Sequence, residues 1–314
     1  MKNNTTLNKS GESFSVRFKK DMIRNKSLYL IVIPVIVFYL LFNYAPMYGA
    51  VIAFKDFKPQ RGILGSDWVG LKHFIAFFKN PSFIPLLRNT IRISASSLIF
   101  GFPAPIILAI LLNELKSAKY SKIVQNFTYM PHFISMVVIC GMLRTFCAKN
   151  GIINYVLSFF GFEPTNLLVN SSYFTTIYVA SEIWQQVGWG AIIYLAALMS
   201  IDSQLYEAAM IDGAGKWKQL LNVTLPGILP TIVTMLILRL GSIINVGYEK
   251  ILLLYNDATM NVADVISTYT YRKGLIDMSW SFSSAVGLFN SVINVLFLIT
   301  ANAVSKKLTD TSIW

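Results

Sequence analysis

The residues best able to act on a partner lie in a polar segment, 202–226, between two long apolar runs. Asp202 or Ser203 can cap a helix, because a side-chain oxygen there accepts hydrogen bonds from free backbone N–H groups. Ala208 and its neighbours favour helix. Gly213 then interrupts the helical pattern, since glycine tolerates the positive φ of a helix end. We therefore predict a short helix that ends in a sharp turn.

A second short helix is expected after that turn. Apolar or small side chains recur at i, i+3, i+4 and i+7, the spacing of one helix face, at Trp217, Leu220, Leu221 and Thr224. Pro226 and Pro230 then fall in the opening turns of the next apolar run, where a missing N–H does least harm. Taken alone, this helix–turn–helix fits a loop that packs on its own bundle or lies in the lipid interface.

Residue types for catalysis or metal binding are sparse. Cys140 and Cys147 lack the CxxC spacing of zinc or redox sites, and His73 and His132 are far apart in the chain. We expect no catalytic residue, no metal site and no disulfide, and we interpret both histidines as structural or interfacial.

The chain also contains a glycine-rich stretch that ends at Lys216 and superficially resembles a phosphate-binding loop. Trp217 stands where such a loop needs serine or threonine, and Met210 stands where its first glycine belongs. We therefore expect no nucleotide or other cofactor on this chain.

Composition indicates a membrane protein. Of 314 residues, 54% are hydrophobic and only 13% are charged, whereas soluble domains are about 25% charged. The mean hydropathy is +0.55. The net charge of +12 is confined to short segments between apolar runs, where basic residues flank a bilayer. We expect lipid, and no nucleic acid, to be a partner.

The fold class predicted is all-α, a polytopic membrane helix bundle. A bilayer core of about 30 Å needs roughly 20 apolar residues as helix. Six segments meet that requirement, at about 28–46, 88–112, 123–146, 173–201, 224–246 and 282–305.

Lysine and arginine predict the orientation of these spans. With six spans, the N-terminus, two loops and the C-terminal tail share one side, and they hold 14 basic residues in about 70 positions, against nine in roughly 100 positions opposite. This density predicts that both the N-terminus and the C-terminus lie on the cytoplasmic side (N-in and C-in). The basic start could also belong to a signal peptide, but no small-x-small cleavage site follows. We interpret it as an uncleaved first span.

Polar side chains within or beside the last two spans are candidates for a substrate path, because polar groups in a span usually face a cavity or another helix. The candidates are Asn245, Tyr248, Glu249, Asn290 and Asn294. They would suit a hydroxyl-rich ligand, although interhelical bonding explains many intramembrane asparagines equally well. Three arginines, Arg88, Arg92 and Arg239, could attract an acidic sugar, but we expect them to anchor the helices near the membrane surface.

One pattern in the 202–226 segment has a known counterpart. Three short groups of residues at fixed offsets, Glu207-Ala208-Ala209, Asp212-Gly213-Ala214 and Val223-Thr224-Leu225-Pro226, resemble the EAA loop of ABC importer permeases. Valine at 223 departs mildly from the isoleucine usual in that family. The resemblance implies that Glu207, Ala208, Ala209, Asp212, Gly213, Ala214, Leu225 and Pro226 contact a separate ATPase.

The same resemblance implies a division of the chain and a set of partners. Residues 1–27 would be a basic cytoplasmic N-terminus, 28–87 a first span with an external segment, 88–305 a five-helix permease core, and 306–314 a cytoplasmic tail. The implied partners are cytoplasmic ATPase subunits that carry ATP and Mg, a second homologous permease and an extracytoplasmic solute-binding protein. The implied location is the bacterial cytoplasmic membrane.

Less specific motifs resemble those of the carbohydrate branch of that family, which contains the maltose- and oligosaccharide-type permeases. They lie at 30–34, 53–57 and 269–274. The alternative that the chain is a permease for peptides, amino acids or phosphate also fits the sequence. An ion-driven secondary transporter is less favoured, because no internal duplication is visible and Glu182 is the only acid well inside a span. A membrane enzyme would need convergent catalytic groups that two distant histidines do not supply.

Overall fold

The computed structural model describes residues 14–309 and 312–313. It is 78% helical with almost no strand, which confirms the all-α class. Residues 1–13 of the predicted N-terminal segment, and 310, 311 and 314 of the predicted tail, lie outside the described residues. The α-helices in chain order are α1 (Phe14–Arg24), α2 (Lys26–Tyr39), α3 (Ala45–Met47), α4 (Gly62–Gly65), α5 (Lys72–Phe78), α6 (Phe83–Ser96), α7 (Pro103–Asn113), α8 (Ala118–Tyr129), α9 (Met136–Phe146), α10 (Ile152–Ser158), α11 (Ser171–Met199), α12 (Ser203–Ile211), α13 (Lys216–Gln219), α14 (Leu225–Leu240), α15 (Tyr248–Leu254), α16 (Met260–Ala263), α17 (Ile266–Tyr271) and α18 (Trp280–Thr309).

Shorter elements join these helices. The 3₁₀ turns are Tyr48–Phe54, Pro59–Arg61 and Met130–Phe133, and the π-helical turns are Leu40–Tyr44, Ser97–Gly101, Leu220–Thr224 and Arg272–Ile276. Two strands, β1 (Lys55–Asp56) and β2 (Asp67–Trp68), form an antiparallel hairpin.

Four continuous helical stretches in the described part of the chain are long and apolar enough to cross a membrane: Lys26–Phe54, Phe83–Asn113, Lys216–Leu240 and Trp280–Lys307. Three of the predicted spans lie inside them, and the predicted fifth span lies inside one as far as Leu240. The polytopic membrane class is confirmed. The count of six spans stays a prediction.

The predicted third span, 123–146, is not one straight helix. Its two halves, Ala118–Phe133 and Met136–Phe146, meet at an angle of 101°. The chain passes Pro131 in a 3₁₀ turn. The Ser135 side chain then accepts a hydrogen bond from the N–H of Val138 and starts a new helix. Because a capping serine follows the proline, the apolar run breaks where hydropathy alone predicted continuity.

The predicted fourth span is the 29-residue helix α11. It is long enough to cross the membrane, but it is less apolar than the four stretches above. Its buried residues include Ser181 and Gln185, so part of its polar surface faces other helices. Such a helix belongs at the centre of a bundle, where protein and not lipid surrounds it.

The predicted fifth span, 224–246, begins earlier and ends sooner than expected. The helix runs unbroken from Lys216 to Leu240, so the expected second helix of the loop is the first part of this span. Pro226 has no N–H to donate. The chain widens before it into the π-helical turn Leu220–Thr224, where the N–H of Leu225 donates to the carbonyl of Leu220.

Helix α11 forms the middle of the bundle and packs against α7, α8 and α14. One apolar cluster joins α7, α11 and α14 through residues such as Ile106, Tyr194 and Ile228. Close approach to α8 depends on Gly188, because a Cβ at that position would overlap the carbonyl group of Thr128. Packing against α7, α8 and α14 therefore fixes the position of α11, one face of which forms the site described below.

Candidate coupling loop and central cavity

The first part of the 202–226 segment is the helix α12, and its start is capped as expected. The Asp202 side chain accepts a hydrogen bond from the N–H of Gln204 at 2.9 Å. The cap satisfies one of the free N–H groups at the helix start. Of the two capping residues considered from sequence, Asp202 is the one used.

A left-handed turn ends α12. Gly213 has a φ of +74°, a conformation that costs a residue with a side chain roughly 1–2 kcal/mol. The N–H of Gly213 donates to the carbonyl of Met210 at 3.0 Å, and the N–H of Ala214 donates to the carbonyl of Ala209 at 2.8 Å. Because these bonds satisfy carbonyls at the helix end, the turn has one defined geometry.

The residues that resemble the EAA motif lie mostly on the surface of the chain. Ala209, Ala214 and Leu225 are half-buried, and the exposed ones are Glu207, Ala208, Asp212, Gly213 and Pro226.

Large apolar side chains of the same segment are also exposed. Ile211 is 87% exposed and Trp217 is 76% exposed. Exposed apolar surface with a polar rim is typical of a contact site for another protein or for lipid.

Two contacts tie the loop to the membrane helices. The hydroxyl groups of Tyr206 and Thr224 lie 3.0 Å apart and connect α12 to the fifth-span helix. Lys216 donates to a carboxylate oxygen of Glu114, just after α7, at 2.8 Å. Neither contact was anticipated from sequence. The second joins residues 102 positions apart, and no local pattern indicates such a pairing.

A cavity of about 660 Å³ opens at the centre of the bundle, and we call it the central cavity. Helix α11 presents one face to it, with residues at i, i+4, i+7 and i+11 from Glu182, which is the spacing of a helix face. Helix α14 and the segment after it form another part of the wall. The residues that carry its polar chemistry are Glu182, Gln185, Gln186, Arg239, Asn245, Glu249 and Lys250.

An ion pair lies in this wall. A guanidinium nitrogen of Arg239 lies 2.8 Å from one carboxylate oxygen of Glu182, and the hydroxyl of Ser97 donates to the other at 2.7 Å. The Glu182 side chain is 24% exposed and that of Arg239 is 46% exposed. Arg239, which was expected to anchor its helix near the membrane surface, is paired with a carboxylate in the cavity wall. Two opposite charges in separate apolar spans were the sequence signal for this pair.

The predicted path residues divide into two groups. Asn245, Tyr248 and Glu249 line the central cavity. The side-chain amides of Asn290 and Asn294 instead donate to Oδ1 of Asn245, at 2.6 and 3.1 Å. These two asparagines lie on α18 and are not among the residues of the cavity wall. They hold Asn245 in place through interhelical bonds.

Lys250 is a wall residue that sequence reasoning missed. Its side chain is buried, with 3% of the residue exposed, and its Nζ donates to the carbonyl of Tyr178 at 2.9 Å. The same Nζ lies 4.6 Å from the centre of the Tyr178 ring. A carbonyl and an aromatic face together stabilise the buried ammonium group.

Residues 14–309 and 312–313 contain few side chains that bind metals. No cluster of three or more His, Cys, Asp or Glu side chains there could hold a metal ion. Cys140 and Cys147 are both free and buried.

The model of one protein family, described as "Binding-protein-dependent transport system inner membrane component", matches residues 101–310. The polygalacturonan/rhamnogalacturonan transport system permease protein YteP of Bacillus subtilis (strain 168) is 43% identical over 309 residues, which cover 96% of each chain. Protein LplB of the same organism is 42% identical over 285 residues, which cover 90% of each chain.

Solved structures agree with these relatives. A bacterial ABC transporter involved in the import of the acidic polysaccharide alginate matches with a TM-score of 0.86 and 42% identity, over 93% of this chain and 99% of that chain. This chain therefore belongs to the family of binding-protein-dependent transport system inner membrane components, and it is a multi-pass permease subunit of the bacterial inner membrane.

Proposed function

We propose that this chain forms one half of the path of an ATP-driven importer for a saccharide, and that the 202–226 segment couples it to a separate ATPase. Glu207, Ala208, Ala209, Asp212, Gly213, Ala214, Leu225 and Pro226 would contact the ATPase. The central cavity would be this subunit's part of the path, with Asn245, Tyr248 and Glu249 in its wall and with Asn290 and Asn294 supporting Asn245.

The continuity of one helix is the observation that carries the coupling role. Lys216 follows the turn at Gly213, and Arg239 lies near the other end of the same 25-residue helix. At a rise of 1.5 Å per residue, these two residues are about 35 Å apart. A displacement of the loop would therefore move Arg239 relative to Glu182 in the cavity wall. The Tyr206–Thr224 contact makes α12 move with the helix.

The acidic side chains of the loop are placed to form ion pairs with a partner protein. Glu207 and Asp212 are exposed, and neither has a salt bridge among residues 14–309 and 312–313. Ala208 leaves room for a groove to approach the helix closely. We propose that basic residues of the ATPase pair with these carboxylates while Ile211 and Trp217 enter an apolar part of the same groove.

The saccharide substrate is supported by the relatives and by the chemistry of the cavity. YteP is a polygalacturonan/rhamnogalacturonan permease by name, and the matching solved structures concern an alginate importer. The cavity wall combines amide and charged side chains with exposed aromatic rings such as Tyr248 and Trp189. Hydroxyl groups can bond to the former while sugar rings lie against the latter.

Membership of this family supports the remaining partners that we propose. The ATPase subunits would hold ATP and Mg, a second homologous permease would complete the path, and an extracytoplasmic binding protein would deliver substrate. In one matching solved structure the alginate transporter is bound to an alginate pentasaccharide-bound periplasmic protein. We propose an N-in and C-in chain with the divisions 1–27, 28–87, 88–305 and 306–314.

Reconstitution tests this function. The chain is placed in liposomes with its second permease and ATPase, and the binding protein is added outside. We expect uptake of at least one of three saccharides (galacturonate, alginate or arabinose oligomers) that needs ATP and the binding protein. Uptake driven by an ion gradient without ATP, or uptake confined to amino acids or phosphate, would contradict the proposal.

A further inference from the structure

The loop that joins α9 to the central helix α11 exposes a dense group of hydrophobic side chains. Residues 152–162, which comprise the short helix α10 and the turn after it, carry six of them, each between 49% and 75% exposed. We call this group the aromatic patch, and its members are Ile152, Tyr155, Val156, Phe159, Phe160 and Phe162. Exposed apolar surface of this density indicates a contact site.

The aromatic patch belongs to a folded element with a fixed shape. The Asn154 side chain is buried, and its Nδ2 donates to the carbonyls of Ala148 and Thr165, both at 2.7 Å. The N–H of Phe162 donates to the carbonyl of Leu157 at 3.3 Å and closes the end of α10. Because one buried amide joins both ends of the loop, the patch keeps its place relative to α9.

Helix α10 is hydrophobic on its inner face as well. Ile153 and Leu157 pack against a buried cluster that includes Phe174 and Tyr178 of α11. The inner face is therefore covered by this chain, whereas the aromatic patch is on the surface. A helix that is apolar on both sides needs a second apolar surrounding on its outer side.

The position of α10 along the membrane normal follows from the length of α11. This helix has 29 residues, which is about 43 Å at 1.5 Å per residue, and a bilayer with its headgroups is about 40–45 Å thick. The coupling loop follows one end of α11, and the α10 loop precedes the other. The N–H of Leu167 donates to the carbonyl of Cys147 at 3.0 Å and holds this loop against the end of α9. The aromatic patch is thus at the membrane surface opposite the coupling loop.

The chemistry of the patch suits lipid better than a protein partner. The sequence has no charged residue between Lys149 and Glu163. The hydroxyl of Ser158 donates to the carbonyl of Tyr155 at 2.7 Å, so this polar group is turned back onto its own helix. Protein interfaces carry intermolecular hydrogen bonds and a polar rim, whereas aromatic rings without such a rim are typical of a membrane–water interface.

We propose that residues 152–162 are a non-spanning anchor that lies in the lipid–water interface at the membrane face opposite the coupling loop. The rings of Phe159 and Phe160 lie among the upper acyl chains, and the hydroxyl of Tyr155 reaches the headgroups. The anchor fixes the depth of the outer ends of α9 and α11 while the coupling loop moves at the other face. This inference concerns contact with lipid and does not depend on the substrate.

Depth measurement by spin labelling tests the anchor. A nitroxide is attached at Phe159→Cys in a variant that lacks Cys140 and Cys147. The full chain, with the subunits that co-purify with it, is placed in vesicles of phosphatidylethanolamine and phosphatidylglycerol. We expect collisions with lipid-soluble oxygen to exceed those with a water-soluble nickel chelate, at a depth of about 5–10 Å below the headgroup boundary.

Glu163→Cys supplies the matched control. Glu163 is exposed and lies four residues further along the same loop, so its label should collide mainly with the nickel chelate. If the variant at 159 does not assemble, Phe160→Cys decides the question. Equal nickel access at 159 and 163 would show that the patch lies in water. Low access of both reagents at 159 would show that another protein covers the patch, and either result overturns the lipid anchor.

Discussion

Replacement of Gly213 by proline is expected to abolish ATP-driven uptake, by at least about 100-fold, while the chain still inserts in the membrane. Proline fixes φ near −65°, whereas Gly213 has a φ of +74°. The change also removes the N–H that donates to the carbonyl of Met210. The turn cannot form, so α12 can no longer be held against the fifth-span helix. Uptake by the reconstituted importer at equal expression measures the effect.

Gly215 supplies the matched control for this change. Its φ of −68° and ψ of 172° suit proline, and it lies only two residues further along the same loop. Gly215→Pro should retain most of the uptake. Gly213→Ala should fall between the two, because alanine reaches a positive φ at a cost of roughly 1–2 kcal/mol. Native uptake by Gly213→Pro would show that coupling does not depend on this turn.

Loss of the Arg239 charge is expected to have the second largest effect. Arg239→Met leaves the Glu182 carboxylate in the bundle with the Ser97 hydroxyl as its one donor among residues 14–309 and 312–313. An unpaired charge away from water is costly, and we expect about 1–3 kcal/mol of lost stability for this partly exposed site. Thermal unfolding of the purified complex should show a lower Tm, and uptake should fall at least about tenfold.

A double variant distinguishes the effect of losing the ion pair from the effect of leaving one charge unpaired. Glu182→Gln in the Arg239→Met background removes the stranded charge, so the Tm should recover in part. The pair of Lys216 and Glu114 serves as the control, because it has the same 2.8 Å separation but lies on the surface. Lys216→Met should cost less than about 1 kcal/mol. Equal losses of stability for Arg239→Met and Lys216→Met would show that the cavity pair contributes no more than a surface pair.

Local signals explain what the sequence could predict. Asp202 and Gly213 act on residues within four positions of themselves, and their cap and turn were both expected. The long apolar runs likewise imply helices whatever their neighbours are. The bend of the third span had a local signal too, in Pro131 and Ser135, but average hydropathy over 20 residues does not detect a break of two residues.

The central cavity depends on contacts between distant parts of the chain. Glu182 and Arg239 are 57 positions apart. Their opposite charges in separate apolar spans hint at a pair, but no local pattern fixes the geometry that brings them together. The prediction of a separate second helix in the loop failed for a related reason. Pro226 is a normal helix start, but here a π-helical turn allows one helix to continue past it. Such continuity depends on packing against α12 and α11.

The most direct test of the account is the chemical accessibility of one position in the coupling loop. A cysteine replaces Ala208 in a variant that lacks Cys140 and Cys147, and a membrane-impermeant maleimide is applied to vesicles of either orientation, with and without the ATPase. We predict labelling only from the cytoplasmic side, and protection of the cysteine when the ATPase is bound. Labelling from the external side, or equal labelling with and without the ATPase, would contradict the coupling role.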